Sequence, residues 1–241
     1  MADAARAELI NPRGHDVNLR SAPQRREYEA IADRVARDRP GRVLDWGCGF
    51  GQMTALMSER GLQVDAFNYV PGLEEDGPRP LERFPEHEAY LSADPVRLPW
   101  EGGRFDAVLS CGVLEHVGHP DRSLDELHRV LRPGGTLYVY KLPNRRSYLE
   151  WVARRAGLYY HGAYPDDRLY DLHGARSLIA RHGFGVTEAR HSNMLPLTLP
   201  GRLAAALSGP IWGVNRALAR VPLLNRLATN VEVVAVASPG R

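Results

Sequence analysis

The chain has 241 residues, of which 44% are hydrophobic and 25% charged. This is an ordinary globular composition, sized for one large domain or one domain with appendages. A formal net charge of +2 gives no global pull towards nucleic acid or acidic partners.

Residues 1–20 are polar and irregular. Ser21, Pro23 and the helical spacing of Tyr28, Ile31, Ala32 and Val35 predict a helix over 23–38, with Ser21 as its cap. Residues 42–46 read as a short buried strand running into a glycine-rich turn, and 52–60 as the helix that follows. Residues 63–68 form a second strand. The stretch 71–87 is rich in Pro, Glu and Asp and reads as loop. Strands are expected at 88–92 and 105–111, then a helix over 121–131 closed by the turn Arg132-Pro133-Gly134-Gly135. A fifth strand spans 136–141. Helices over 145–156 and 174–182 precede strands at 185–190 and 231–237. Strands separated by helices imply βαβ crossovers and a mainly parallel, doubly wound sheet. Such sheets bind ligands beyond the carboxyl ends of their strands.

Cys48 and Cys111 are too few for a disulfide framework, and no Cys/His zinc spacing is present. The N-terminal residues lack the apolar region of a secretory signal, and no run of about 18 apolar residues occurs. A cytoplasmic address is therefore expected. Lys141 is the single lysine, an arginine bias that a GC-rich coding sequence produces by itself.

The strongest chemical signal is Asp45-Trp46-Gly47-Cys48-Gly49-Phe50-Gly51. Glycines there allow a tight turn and a close backbone approach to a ligand. The helix behind them offers free N–H groups. A dinucleotide site needs G-x-G-x-x-G, and here Gln52 stands where the last glycine belongs. Asp45, two residues before the first glycine, would repel a pyrophosphate and suit an ammonium group. The residues thus favour a nucleoside bearing an amino acid over a nicotinamide dinucleotide.

The segment VLDWGCGFG resembles motif I of the class I S-adenosylmethionine (SAM) methyltransferases. Three further blocks are similar to that family in order and spacing: Ala93 to Trp100, FDAVLSCGVLEHV, and HRVLRPGGTLYVYKLPN. Together they cover roughly residues 40–145. The resemblance implies a seven-stranded Rossmann-like α/β sheet with its last strand antiparallel, an N-terminal helix and a helical insertion before the last strand. Residues 1–40 would be an N-terminal segment and lid. Residues 41–241 would be the methyltransferase domain, with 142–174 and 195–228 on the substrate side.

Carried over, Asp45, Gly47, Cys48, Gly49 and Gly51 would hold the methionine part of SAM. Asp94, followed by Pro95, would read the adenine amino group. Ser110 and Cys111 would lie beside the methyl-bearing sulfonium. The family usually has Asp or Glu at the end of strand two, accepting both ribose hydroxyls. Here that position is Asn68, next to Tyr69. An amide oxygen accepts one such bond without charge assistance. Asp65 faces the other side of the strand. The departure keeps an inactive SAM-binding partner subunit in play.

In-line methyl transfer needs alignment, and it needs a base only where the acceptor must lose a proton. His116, in Leu114-Glu115-His116-Val117, is the candidate base; the alternative is that it braces its loop, and Glu115 is a weaker candidate. Tyr28, His161 and His173 are candidate substrate residues. Within the family the chain is similar to ubiquinone-biosynthesis O-methyltransferases and to sugar or natural-product methyltransferases. Gly112 stands where those that bind a metal have an acid, so no metal is expected. The expected reaction takes a methyl group from SAM to a small-molecule hydroxyl and leaves S-adenosylhomocysteine; the alternative is N- or C-methylation of an amino sugar or quinone-like ring. No base-flipping signature or basic aromatic patch points to nucleic acid.

Residues 195–228 alternate apolar side chains with Arg202, Arg216, Arg220 and Arg226, without an acid from Thr198 to Val231. They read as a helical lid packed on the sheet, or as an amphipathic surface for an anionic membrane or lipid-linked substrate. The oligomeric state is not legible.

Overall fold

The computed structural model describes residues 21–157, 167–197 and 202–239. Its centre is one eight-stranded sheet: β1 (Arg42–Trp46), β2 (Gln63–Tyr69), β3 (Gly77–Leu81), β4 (Phe84–Ser92), β5 (Phe105–Cys111), β6 (Leu131–Pro143), β7 (Phe184–Ser192) and β8 (Asn230–Ala237). The spatial order is β3-β4-β2-β1-β5-β6-β8-β7. Strands β4, β2, β1, β5 and β6 run parallel. The last strand, β8, inserts antiparallel between β6 and β7. Order reverses at β1, so the loops after β1 and β5 open into one crevice.

The helices are α1 (Ala22–Arg37), α2 (Gln52–Ser58), α3 (Pro120–Val130), α4 (Tyr148–Arg155), α5 (Leu172–Arg181), α6 (Arg202–Ala206) and α7 (Ser208–Leu218). They cover both faces of the sheet, because alternate strand residues point to opposite sides. Leu44, Val108, Leu137 and Val233 pack with α3 and α5 on one face. Val43, Leu109, Tyr138 and Val234 pack with α1 and α2 on the other. The Leu98-Pro99-Trp100 turn seals the first face, with Trp100 edge-on to Phe67 and Phe105 at centroid distances of 6.3 and 5.2 Å.

The seven expected strands are present, and several local expectations change. The stretch 71–87 carries an eighth strand, β3, which pairs antiparallel with β4 at the sheet edge. Its Pro78 and Pro80 are tolerated there because an edge strand has one row of unpaired N–H positions. Arg132 to Gly135 is not a terminating turn: it lies within β6, where the pairing register with β5 shifts. The helix expected over 145–156 begins at Tyr148, capped by Ser147, which accepts the N–H of Glu150. Ser21 precedes α1 but makes no capping bond; its hydroxyl donates to the Leu197 carbonyl. The tail helix α7 packs on α1, not on the sheet. Asn215 is buried there and accepts the N–H groups of Met194 and Leu195, both at 2.6 Å.

Candidate active site

The turn after β1 is built by left-handed backbone. Gly47, Gly49 and Gly51 have φ of +76°, +56° and +86°, a region that other residues enter only at a cost. Gly47 and Cys48 donate their N–H groups to the Phe67 carbonyl, both at 2.9 Å. This ties the turn to the end of β2 and sets Asn68, the next residue, beside it. A side chain at Gly47 would strike both methyls of Val113 at 2.6 Å, and one at Gly51 would strike Leu81 at 2.4 Å. A side chain at Gly49 would meet nothing within 4 Å. The turn is thus packed underneath and open above Gly49, the shape a close-lying ligand requires.

Asp45 is the residue before the last of β1, two before Gly47. It is 2% exposed, and it accepts a 2.6 Å bond from the Thr54 hydroxyl of α2. Burial pushes its carboxyl up to about 6, against the opposing pull of the Thr54 bonds. No cation pairs with it in an ion pair among the described residues. A buried carboxylate held by Thr54 and by no cation among the described residues is a fitting partner for a ligand ammonium. The open turn and this carboxylate together fit the amino-acid end of SAM.

Ser110 and Cys111 end β5 in the same crevice. The Ser110 hydroxyl is buried without a hydrogen-bond partner among the described residues. Burial pushes the Cys111 and Cys48 thiols well up, so neither is a ready nucleophile. Helix α1 brings Tyr28 to this point. Tyr28 is buried, its hydroxyl raised by burial, and the Lys141 ammonium lies 4.9 Å from its ring centroid. Lys141 stands in left-handed conformation, φ +64°, where β6 and β8 shift register. Its ammonium pairs with the buried Glu27 at 2.7 Å. Glu27 also accepts from Asn193. Burial opposes the charge on Lys141, and Glu27 more than restores it, so the lysine stays protonated.

Asp94 follows β4, the strand that pairs parallel with β2. Its Oδ1 accepts the N–H groups of Val96 and Arg97 at 2.8 and 2.9 Å, which hold its carboxyl below the usual range. The loop is braced by Asp76, a residue sequence reasoning missed. Asp76 accepts from the Ser92 hydroxyl at 2.6 Å and from the Ala93 N–H at 2.8 Å. Ser92 in turn accepts the Asp94 N–H at 3.0 Å. Pro95 and Tyr69 are exposed and Asn68 is half-buried. Asp65 lies apart, as its position in the strand requires, 3.3 Å from Arg104.

His116 stands in the loop after β5, with 41% of its side chain exposed. Its Nδ1 is 2.9 Å from Asp167, and its Nε2 is 3.8 Å from the buried Glu115. Asp167 is the second residue missed. The segment it begins is tied to the same loop: the Arg168 N–H donates to the Glu115 carbonyl at 2.9 Å, and the Tyr170 hydroxyl to the Leu114 carbonyl at 3.3 Å. His173 is not at this crevice; it lies at the start of α5, in a groove beside β7. His161 lies outside the described residues.

Residues 44–139 match the family model described as "Methyltransferase domain". Over that span the chain is similar to a methyltransferase domain. Its β1 turn, Asp45 and the end of β5 all fall inside the matched span. The chain is 32% identical over 113 residues to a demethylmenaquinone methyltransferase of Thermus thermophilus, covering 46% of this chain and 51% of that protein. It is 31% identical over 115 residues to a malonyl-[acyl-carrier protein] O-methyltransferase of Pseudescherichia vulneris, covering 47% and 44%. The matches span about half the length of these curated relatives. The fold resembles a crystal structure of the Burkholderia thailandensis 1,6-didemethyltoxoflavin-N1-methyltransferase with 1,6-didemethyltoxoflavin and S-adenosylhomocysteine. The TM-score is 0.59 at 20% identity, over 99% of this chain and 89% of that one.

Proposed function

We propose that the chain is a SAM-dependent methyltransferase acting on a hydroxyl oxygen of a small molecule. The observation that carries this reading is the open turn at Gly49 next to the buried carboxylate of Asp45, which has no cation partner among the described residues. Bound SAM would supply an electrophilic methyl group on a positively charged sulfur. Asp45 would hold its ammonium, Asn68 a ribose hydroxyl and Asp94 the adenine amino group. Ser110 and Cys111 would flank the reacting end. Tyr28 of α1 would cover it and exclude water, which strengthens alignment and electrostatics alike. His116 would take the acceptor proton through Nε2, with Asp167 on Nδ1 fixing the ring. The named activity of the malonyl-[acyl-carrier protein] relative supports transfer to oxygen.

A second reading is methylation of a quinol-like ring at carbon, favoured by the relatives named demethylmenaquinone methyltransferases. Methyl-labelled SAM offered with a 1,4-naphthalenediol and with hydroxyl-bearing phenols and sugars separates the two. Label recovered in an ether or ester supports oxygen transfer. Label on a ring carbon refutes it, and no label on any acceptor with SAM bound supports the inactive-partner alternative raised by Asn68.

The tail also suggests an anionic lipid surface or lipid-linked acceptor. No helix among the described residues is long and apolar enough to cross a membrane. Leu203, Leu207, Val214, Val221, Leu223 and Leu227 are exposed between 203 and 227, with Arg216, Arg220 and Arg226 among them. Salt-dependent sedimentation with phosphatidylglycerol vesicles tests this contact; no binding at low salt refutes it.

A further inference from the structure

We infer that the groove between α5 and β7 is a binding site for a phosphate- or diphosphate-bearing ligand. It is a cavity of about 940 Å³ whose lining includes Arg146, Arg176, Arg226, His173 and His191. The three arginines come from three different elements: the turn before α4, helix α5, and the 3-10 turn over Leu224–Leu227. None forms a salt bridge among the described residues. By contrast, Arg34, Arg60, Arg129 and Arg190 each sit on a carboxylate within 3 Å.

The one acid of the lining, Asp171, is already engaged. Its Oδ1 accepts the Gly174 N–H at 2.7 Å and caps α5. Among the described residues, three arginines therefore line the groove against a single acid. The excess is felt within the site: burial first, then the charges of Arg226 and Arg146, hold the His191 imidazolium below its usual range. Guanidinium forks match the oxygens of a phosphate, so three arginines lining one groove without a salt bridge among the described residues suit a tetrahedral polyanion better than a lone carboxylate.

The walls are fixed in place. Asn144, 1% exposed, donates to the carbonyls of Arg226 and Ala228 at 2.9 and 2.7 Å. This locks the turn bearing Arg226 to the end of β6, two residues before Arg146. Asn144 also bridges to Tyr170, whose hydroxyl reaches the Leu114 carbonyl beside Glu115 and His116. The groove and the His116 loop thus share one structural support while lying at different places in the fold. The anion would be either a free phosphorylated molecule or the headgroup of a phospholipid, and the chemistry recognised is the same.

Calorimetry of the full chain with inorganic pyrophosphate at low salt tests the site, beside sedimentation with phosphatidic acid and with neutral phosphatidylcholine vesicles. The expected result is one bound pyrophosphate, weakened at least about tenfold in Arg146→Gln and Arg176→Gln, one charge-assisted contact each. Arg37→Gln, at the exposed end of α1, is expected to bind as the parent does. Phosphatidic acid binding that is weakened by Arg146→Gln and Arg176→Gln, without pyrophosphate binding, assigns the anion to a lipid headgroup and also supports the site. Absence of both, or binding that those substitutions leave unchanged, overturns it. S-adenosylhomocysteine titration of the same variants shows that they are folded. It also keeps this result separate from the methyltransferase reading, which that titration tests.

Discussion

Alanine at Gly49 and alanine at Gly51 should fail in opposite ways. Both positions need left-handed backbone, with φ of +56° and +86°, so each substitution costs about 1–2 kcal/mol for the conformation alone. At Gly49 that is the whole cost to folding, because the added methyl meets nothing within 4 Å. At Gly51 the methyl would sit 2.4 Å from Leu81 Cδ1 and 3.4 Å from Phe84. Forcing a methyl into such a packed corner costs about 1–3 kcal/mol more. The expected loss is then about 2–5 kcal/mol, a large share of the roughly 5–15 kcal/mol that holds a domain together. Urea unfolding measures stability, and calorimetry with S-adenosylhomocysteine measures binding. Gly49→Ala should lose only about 1–2 kcal/mol yet bind at least about tenfold more weakly, since its methyl occupies the ligand's space. Gly51→Ala should lose much of its stability. Parent-like ligand binding by Gly49→Ala, or equal stability of the two variants, would refute the geometry assigned to the turn.

Three more outcomes follow from the same site. The Asp45 carboxyl, at about 6 in the folded chain, lies above its unfolded value of about 3.9. Its contribution to stability is therefore full below about pH 4 and is lost as pH rises through 6. A ligand ammonium needs the carboxylate, so S-adenosylhomocysteine should bind about tenfold more weakly at pH 5 than at pH 7; affinity that is flat across that range would be inconsistent with an Asp45 contact. Lys141→Met strands the buried Glu27 and should cost about 3–5 kcal/mol in urea unfolding, most of it regained in Lys141→Met/Glu27→Gln; equal losses in the single and double variants would contradict a paired charge. His116→Gln should lower turnover of a hydroxyl acceptor about 100-fold or more without changing S-adenosylhomocysteine affinity, and a parent-like rate would leave His116 only a bracing role.

The order of strands and the β1 turn were legible because their signals are local. Apolar runs, glycine spacing and Asp45 all lie within a few residues of what they build. The β3 strand was not legible, because Pro78 and Pro80 read as loop until a neighbouring strand supplies the edge that tolerates them. Asp76 and Asp167 escaped for a related reason. Each acts on a residue far away in sequence, Asp76 on Ser92 and Asp167 on His116, and an isolated acid in a polar stretch carries no mark of its partner. Lys141 stands at the end of the fifth predicted strand, yet its partner Glu27 lies 114 residues earlier. His173 shows the converse: chain position suggested the crevice, and the turn into α5 carries it to the arginine-lined groove instead.

The net charge of +2 now has a distribution. The Asp45 carboxyl is buried beside the β1 turn, while arginines without a salt bridge among the described residues gather along the α5 groove and the tail. The crevice is proposed to take the amino-acid-bearing nucleoside SAM. Calorimetric titration of the full chain with SAM, and separately with NADH, tests it most directly. One SAM bound per chain, weakened in Asp45→Ala and Gly49→Ala, with no heat from NADH, is the expected result. NADH binding without SAM binding would contradict it.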